Sequence, residues 1–140
     1  MSKKRVDFYF PYATGGDALA NILFGKVSPS ARLPVTFYES DGDLPPFRDY
    51  SMENRTYKYF SGTPVFEFGH GLTYSDIRES WIDENTVEIT NNGPFNTAYS
   101  VLKFEAPTHD ESKKPNPKKA LRDFTKISLK VGEKKTVKFN

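Results

Sequence analysis

The chain has 140 residues and a formal net charge of +2, from 20 lysines and arginines against 18 aspartates and glutamates. This balance produces no strong field for nucleic acid or an anionic membrane, and no stretch approaches the roughly 20 apolar residues of a membrane helix. We therefore predict neither a nucleic-acid partner nor a membrane partner. The sequence contains no cysteine, which excludes disulfides and cysteine-bound zinc.

Aromatic residues make up 15% of the chain although hydrophobic residues make up only 36%. This combination favours a folded, β-rich chain over a disordered one. The basic start, Met1–Arg5, lacks the continuous apolar stretch that follows the charged residues of a signal peptide. No export signal is therefore visible in the sequence, which favours a cytoplasmic location.

The first half of the chain predicts one helix and two strands. Asp17 can cap a helix over Ala18–Phe24, which Gly25 can end. Strand residues follow in Arg32–Tyr38 and again in Thr56–Phe60, where polar and aromatic side chains alternate. An aromatic stretch at 64–74, interrupted by glycines, is typical of a connector whose rings pack against neighbouring units.

The second half predicts an antiparallel sandwich of short strands separated by turns. Leu102 and Phe104 are expected to face its core, with Val101 and Lys103 on the opposite face. The four predicted strands are Thr86–Thr90, Ala98–Glu105, Phe124–Val131 and Lys135–Phe139.

Five blocks follow one another in the first half of the chain, at Gly15–Gly25, Pro29–Tyr38, Asp43–Phe47, Asn54–Phe60 and Phe68–Tyr74. In this order they resemble the C-terminal region of glycoside hydrolase family 3, especially its β-xylosidases and β-glucosidases. Three blocks of the second half, Val87–Gly93, Leu121–Ile127 and Val131–Phe139, resemble the fibronectin type III-like domain that closes many of these enzymes. The likeness covers the chain from about Thr14, and Thr14 itself stands where the family usually has a glutamate.

The resemblance implies a mixed, mainly β fold in three parts. Residues 1–62 would be the end of the family's α/β-sandwich domain, and residues 63–76 an aromatic connector between domains. Residues 77–140 would be a fibronectin type III-like, immunoglobulin-like β-sandwich that lacks its last strands. Neither half contains enough predicted elements to close a core by itself.

The resemblance also implies a function. In the family, a barrel domain carries the nucleophilic aspartate, and the α/β-sandwich supplies the acid/base carboxylate from a stretch before the blocks seen here. The chain would then be a structural part of an enzyme that removes β-xylosyl or β-glucosyl residues from oligosaccharides, inactive without the barrel and the rest of the α/β-sandwich. Two alternatives remain: a free-standing carbohydrate-binding or adhesion module of sandwich type, and a subunit that docks on a separately encoded barrel.

Three residues are candidates for contact with a sugar: Arg55, Tyr57 and Tyr59. Aromatic rings stack on sugar faces, and a guanidinium group can bind hydroxyls. The competing interpretation places the same three side chains in a buried ladder that only packs.

No cofactor, metal or catalytic residue is predicted. Asp41 and Asp43 form the one conspicuous close carboxylate pair, but they flank a glycine in a turn, where aspartates bond locally. Glu67 is expected to face solvent. His70 and His109 are the two histidines, and neither has a partner at ligand spacing.

Overall fold

The computed structural model describes residues 14–108, 110, 112 and 115–140. A helix, α1 (Gly15–Leu23), opens this part, and a one-turn helix, α2 (Thr56–Tyr59), follows a short 3-10 turn at Asp41–Asp43. Five strands complete the fold, and none of the described helices is long and apolar enough to cross a bilayer. The strands are β1 (Ile77–Trp81), β2 (Thr86–Asn91), β3 (Thr97–Glu105), β4 (Ala120–Leu129) and β5 (Lys134–Lys138).

The strands form two antiparallel sheets, one in the order β1-β2-β5 and one of β3 and β4. Residues 75–140, called the sandwich below, hold every buried residue of the described part. Alternation places Val87, Ile89 and Asn91 of β2 on the inner face, as a half-buried strand requires. The hydrophobic core consists of Val87, Ile89, Val101, Leu129, Val137 and Phe139. The predicted mainly β architecture is confirmed.

The inner face of β3 is the opposite of the predicted one. Val101 is fully buried in the core, and Lys103 is only 7% exposed, whereas Leu102 and Phe104 lie half-buried on the outer face. Lys103 is tolerated because its ammonium group donates to Asn85 and lies 3.5 Å from Glu105 Oε1. The prediction failed because a preceding part of the chain covers the outer face, so both faces of β3 select apolar residues.

Strand boundaries were predicted with uneven success. The strands at β2, β3 and β5 are confirmed within about one residue, but β4 begins at Ala120, before the predicted Phe124. Strand β1 was missed, since its outward residues are charged and it lies at a sheet edge, where charged side chains discourage further pairing.

Residues 14–74, called the leading segment below, contain less regular structure than predicted. The expected strand Arg32–Tyr38 is reduced to one bridge between Phe37 and Phe66. The expected strand Thr56–Phe60 is the helical turn α2, closed by a bond from the Phe60 N–H to the Thr56 carbonyl at 3.0 Å. A window of five residues is too short for its alternation to separate strand from helix.

Helix α1 is confirmed, but it starts earlier than predicted. Asp17 lies in its first turn, where a carboxylate favours the helix dipole, and Thr14 occupies the cap position instead. Gly25 ends the helix in a left-handed conformation with φ of 71°, and its N–H donates to the Ile22 carbonyl.

Candidate functional site

The three candidate sugar-contacting residues lie in and beside α2, where the leading segment meets the sandwich. Arg55 directs its guanidinium group into its own loop. Its Nη2 donates to the carbonyl oxygens of Pro46 at 2.7 Å and Asp49 at 2.9 Å. These bonds fix the loop that precedes α2 and use donors that a sugar would otherwise engage.

The backbone around Arg55 adopts an uncommon conformation. Met52, Asn54 and Thr56 all have left-handed φ angles, of 67°, 56° and 55°. Such angles are unfavourable for residues other than glycine and persist only where the surroundings fix them. One such contact is the hydrogen bond from the Thr56 N–H to Tyr38 Oη at 2.8 Å.

Tyr57 joins the leading segment to the outer face of the β3–β4 sheet. Its ring stacks on Phe68, with centroids 4.2 Å apart, and meets the edge of Phe104 at 6.1 Å. Its hydroxyl accepts a hydrogen bond from the Leu121 N–H at 3.1 Å. Gly69, the residue after Phe68, lets the backbone lie close to β3, since a Cβ at position 69 would be 2.9 Å from Leu102 Cδ1.

Tyr59 is half-buried at the end of α2. No hydrogen bond from its hydroxyl to another residue of the described part fixes its position. The structure therefore places Tyr57 in the junction, Arg55 in the loop that precedes it, and Tyr59 at the margin. They do not form a strand ladder, and sugar contact by any of the three stays a prediction.

Replacing Tyr57 with Phe should weaken the junction, because the Leu121 N–H would lose its acceptor. We expect the free energy of unfolding to fall by about 0.5–1.5 kcal/mol, measured by urea denaturation. The matched control is Tyr59→Phe, which should change it by less than about 0.5 kcal/mol. Equal losses in the two variants would contradict the role assigned to the Tyr57 hydroxyl.

The lysine-rich stretch at 113–119, whose alternation with prolines predicts a solvated loop, contributes two lysines to this junction. Lys118 donates from its N–H to the Lys58 carbonyl and from Nζ to the Phe60 carbonyl, both at 2.7 Å. Lys119 Nζ lies 3.2 Å from Glu67 Oε2 and 5.2 Å from the Phe104 ring centroid. Lysines 113 and 114 of the same stretch lie outside the described residues.

A second contact between the leading segment and the sandwich was not predicted. The Arg32 guanidinium lies 4.5 Å above the Tyr99 ring, and its Nε donates to the Ser100 carbonyl at 3.2 Å. Tyr99 donates in turn to Glu79 Oε1 at 2.8 Å. Burial raises the pKa of the Tyr99 hydroxyl, and the bond to the Glu79 carboxylate adds to this rise. Tyr99 therefore stays protonated and keeps donating at neutral pH.

The carboxylates considered for catalysis have local structural partners. Asp43 Oδ2 accepts the Ser40 N–H at 2.9 Å, as expected of a turn aspartate, while Asp41 is exposed. Glu67 pairs with Lys119, and its side chain is 67% exposed. The contacts of Asp43 and Glu67 serve a turn and the surface, and Asp41 and Glu67 line separate hollows.

The histidines give no indication of a metal centre. His70 is exposed, and its ring centroid lies 4.9 Å from that of Phe66. His109 lies outside the described residues. Across the described ranges, no three side chains of the metal-binding types cluster together.

Comparison with known proteins identifies the family to which this chain belongs. The sequence profile of the glycosyl hydrolase family 3 C-terminal domain matches residues 5–74, half of the chain. The chain belongs to glycosyl hydrolase family 3. The match starts before Thr14, so the family likeness extends further toward the amino terminus than the sequence blocks indicated.

Named relatives within family 3 agree with this assignment. A xylan 1,4-β-xylosidase of Xylanibacter ruminicola is 34% identical, over 94% of this chain and 16% of the relative. A periplasmic β-glucosidase of Salmonella typhimurium is 31% identical, over 96% of this chain and 20% of the relative. The chain thus spans only about a sixth to a fifth of the length of these relatives.

A solved enzyme structure matches the fold as well. The β-D-glucoside glucohydrolase of Trichoderma reesei superposes with a TM-score of 0.75 at 28% identity, covering 91% of this chain and 23% of that chain. The superposition includes both the leading segment and the sandwich, since it covers nine-tenths of the chain. This chain therefore shares with that enzyme the fold in which the two parts meet.

Proposed function

We propose that this chain forms the C-terminal, structural part of a family 3 β-glycosidase that removes terminal β-xylosyl or β-glucosyl residues from oligosaccharides. It would do so together with a barrel and the remainder of an α/β-sandwich, and it would not be catalytic alone. The oligosaccharide would be bound by the assembled enzyme. The main support for the proposal is that polar groups at the junction form hydrogen bonds within this chain.

Tyr57 and Lys118 hydrogen-bond to backbone groups across the junction, so they hold the leading segment against the sandwich. Arg55 bonds to backbone carbonyls of its own loop and so fixes the loop that precedes α2. A free-standing sandwich module would have no need of a preceding segment held in this way. The alternative of an independent carbohydrate-binding or adhesion module is accordingly less well supported.

The proposal includes a division of the chain into three parts, at residues 1–62, 63–76 and 77–140. Two observations support it. The family profile ends at residue 74, and the first strand of the sandwich begins at Ile77. Phe68 and Gly69, within the middle part, pack on Tyr57 and Leu102 from the two sides, which suits a connector.

A graft tests the proposed function. The region of the Xylanibacter β-xylosidase that this chain matches is replaced by residues 14–140 of this chain, and hydrolysis of an aryl β-xyloside is measured. We expect the graft to hydrolyse the substrate, and the same enzyme truncated before that region to be at least about 100-fold less active, since a misplaced catalytic group alone can cost that much.

The truncated enzyme is the control for activity that needs no C-terminal part. A folded graft that is no more active than the truncated enzyme would overturn the proposal. Binding of xylo-oligosaccharides by the isolated chain, measured by calorimetry, would instead favour the carbohydrate-binding alternative.

A further inference from the structure

The loop before α2, residues 44–55, presents two aromatic rings almost entirely to solvent. Phe47 is 88% exposed and Tyr50 is 83% exposed, the two highest values among the large apolar side chains of the described part. Leu44 and Met52 add further exposed apolar surface on either side. We call residues 44–55 the aromatic loop.

The aromatic loop is held in one conformation. Arg55 bonds to the carbonyls of Pro46 and Asp49, the Asp49 N–H donates to the Pro46 carbonyl at 2.9 Å, and the Ser51 N–H donates to Asp49 Oδ1 at 2.9 Å. These bonds fix a backbone that includes the left-handed residues Met52 and Asn54. A loop fixed in this way around exposed rings is preorganised for binding, because little conformational freedom is left to lose.

The distribution of apolar surface indicates what the aromatic loop binds. Among the described residues, eleven of the sixteen exposed large apolar side chains lie in the leading segment, including Leu23 and Phe24 of the α1 region. No described residue of the leading segment is buried, although the segment is fixed to the sandwich through Tyr57 and Arg32. This concentration of exposed aliphatic and aromatic side chains in one segment suits a protein interface.

A sugar is a poorer match for this surface. A sugar-binding platform combines rings with polar groups that remain able to bond to hydroxyls. Here Nη2 of Arg55 and one carboxylate oxygen of Asp49 are already engaged within the loop. A protein surface requires only apolar contact with Phe47 and Tyr50, bordered by polar groups.

We propose that the aromatic loop docks on the catalytic portion of a family 3 β-glycosidase, with Phe47 and Tyr50 as the main contacts. The inference rests on the proposed function and adds to it the surface through which the chain joins the enzyme. The named relatives supply the occupant, because at least four-fifths of the length of each lies outside the region that this chain matches. The loop leads directly into α2, whose Tyr57 bonds to the sandwich, so docking of the loop would also fix the sandwich relative to the catalytic portion.

The test compares the free chain with the graft described above, each carrying the double substitution Phe47→Ser and Tyr50→Ser. In the free chain the two rings are exposed, so the melting temperature should change by less than about 2 °C. In the graft the substitutions should lower the melting temperature by roughly 5 °C or more and reduce turnover. The matched control is Phe124→Ser on β4, a ring that is 69% exposed, which should change neither protein.

A binding measurement keeps the inference testable if the graft does not fold. The free chain is titrated with the truncated Xylanibacter enzyme, and the double variant should bind at least about 30-fold more weakly than the wild type, while Phe124→Ser binds as the wild type does.

The outcomes separate the inference from the proposed function. Suppose that the graft is active, or that the wild-type chain binds, and that the double substitution has no effect. The aromatic loop would then not be the interface, and the proposed function would stand. A folded but inactive graft would overturn the proposed function itself. Binding of xylotetraose by the free chain that the double substitution abolishes would show a sugar site and overturn the inference.

Discussion

Replacing Asn91 with Ala should lower the free energy of unfolding by at least about 3 kcal/mol. Asn91 is fully buried between the sheets at the end of β2. Its Oδ1 accepts the Ser75 hydroxyl at 2.5 Å and the Gly93 N–H at 3.1 Å, and its Nδ2 donates to the carbonyls of Phe95 at 2.8 Å and Lys130 at 3.1 Å. Four polar groups would lose their partner, and each buried, unsatisfied group costs about 1–3 kcal/mol.

The adjacent asparagine provides the control. Asn92 is exposed, and its backbone N–H donates to the Asp76 carbonyl at 2.8 Å, a bond that an alanine retains. Asn92→Ala should therefore change the free energy of unfolding by less than about 0.5 kcal/mol in the same urea titration. Similar losses of unfolding free energy in the two variants would contradict the conclusion that the side-chain hydrogen bonds of Asn91 stabilise this end of the sandwich.

The sequence predicted the positions of the strands better than the burial of the residues within them. In β2, Val87 and Ile89 alternate with polar residues, so both the strand and its inner face follow from the period of two. Asn91 continues that alternation, but asparagine before Asn92 and Gly93 also predicts a turn, and this second pattern concealed its burial. Its four partners come from three separate stretches of the chain, which local patterns do not bring together.

The wrong face of β3 has a similar cause. Alternation gives two sets of residues but does not say which set faces the core when both include apolar side chains. Phe104 is apolar because Tyr57 and Phe68, more than 35 residues earlier in the chain, cover it. Lys103 is buried because its long side chain reaches Asn85 and Glu105. Both facts depend on tertiary contacts.

The site could be predicted in its residues but not in their roles. Arg55 and Tyr57 were singled out as polar and aromatic groups, yet whether such groups face a ligand or their own backbone depends on loop conformation. Phe47 falls within one of the family blocks, but its exposure follows from the path of the chain after Pro46. The left-handed angles at Met52 and Thr56 have no sequence signal, whereas asparagine, as at Asn54, is one of the few residue types that tolerate this conformation.

The central claim is that this chain contributes structure and not catalysis. By the family resemblance, the nucleophile and the acid/base carboxylate belong to stretches outside the blocks matched here. Retaining hydrolysis requires two carboxyl groups about 5 Å apart around one sugar. In the structure, Asp43 holds the Ser40 N–H, and Glu67 pairs with Lys119 at the surface.

The most direct test is the rate at which the purified chain hydrolyses aryl β-xyloside and aryl β-glucoside, with the graft assayed beside it as the positive control. We expect no turnover above buffer from the chain alone, since geometry at a site, and not membership of a fold, produces the chemistry. Turnover by the chain that Asp43→Asn or Glu67→Gln abolishes would show a catalytic carboxylate in this chain and contradict the account.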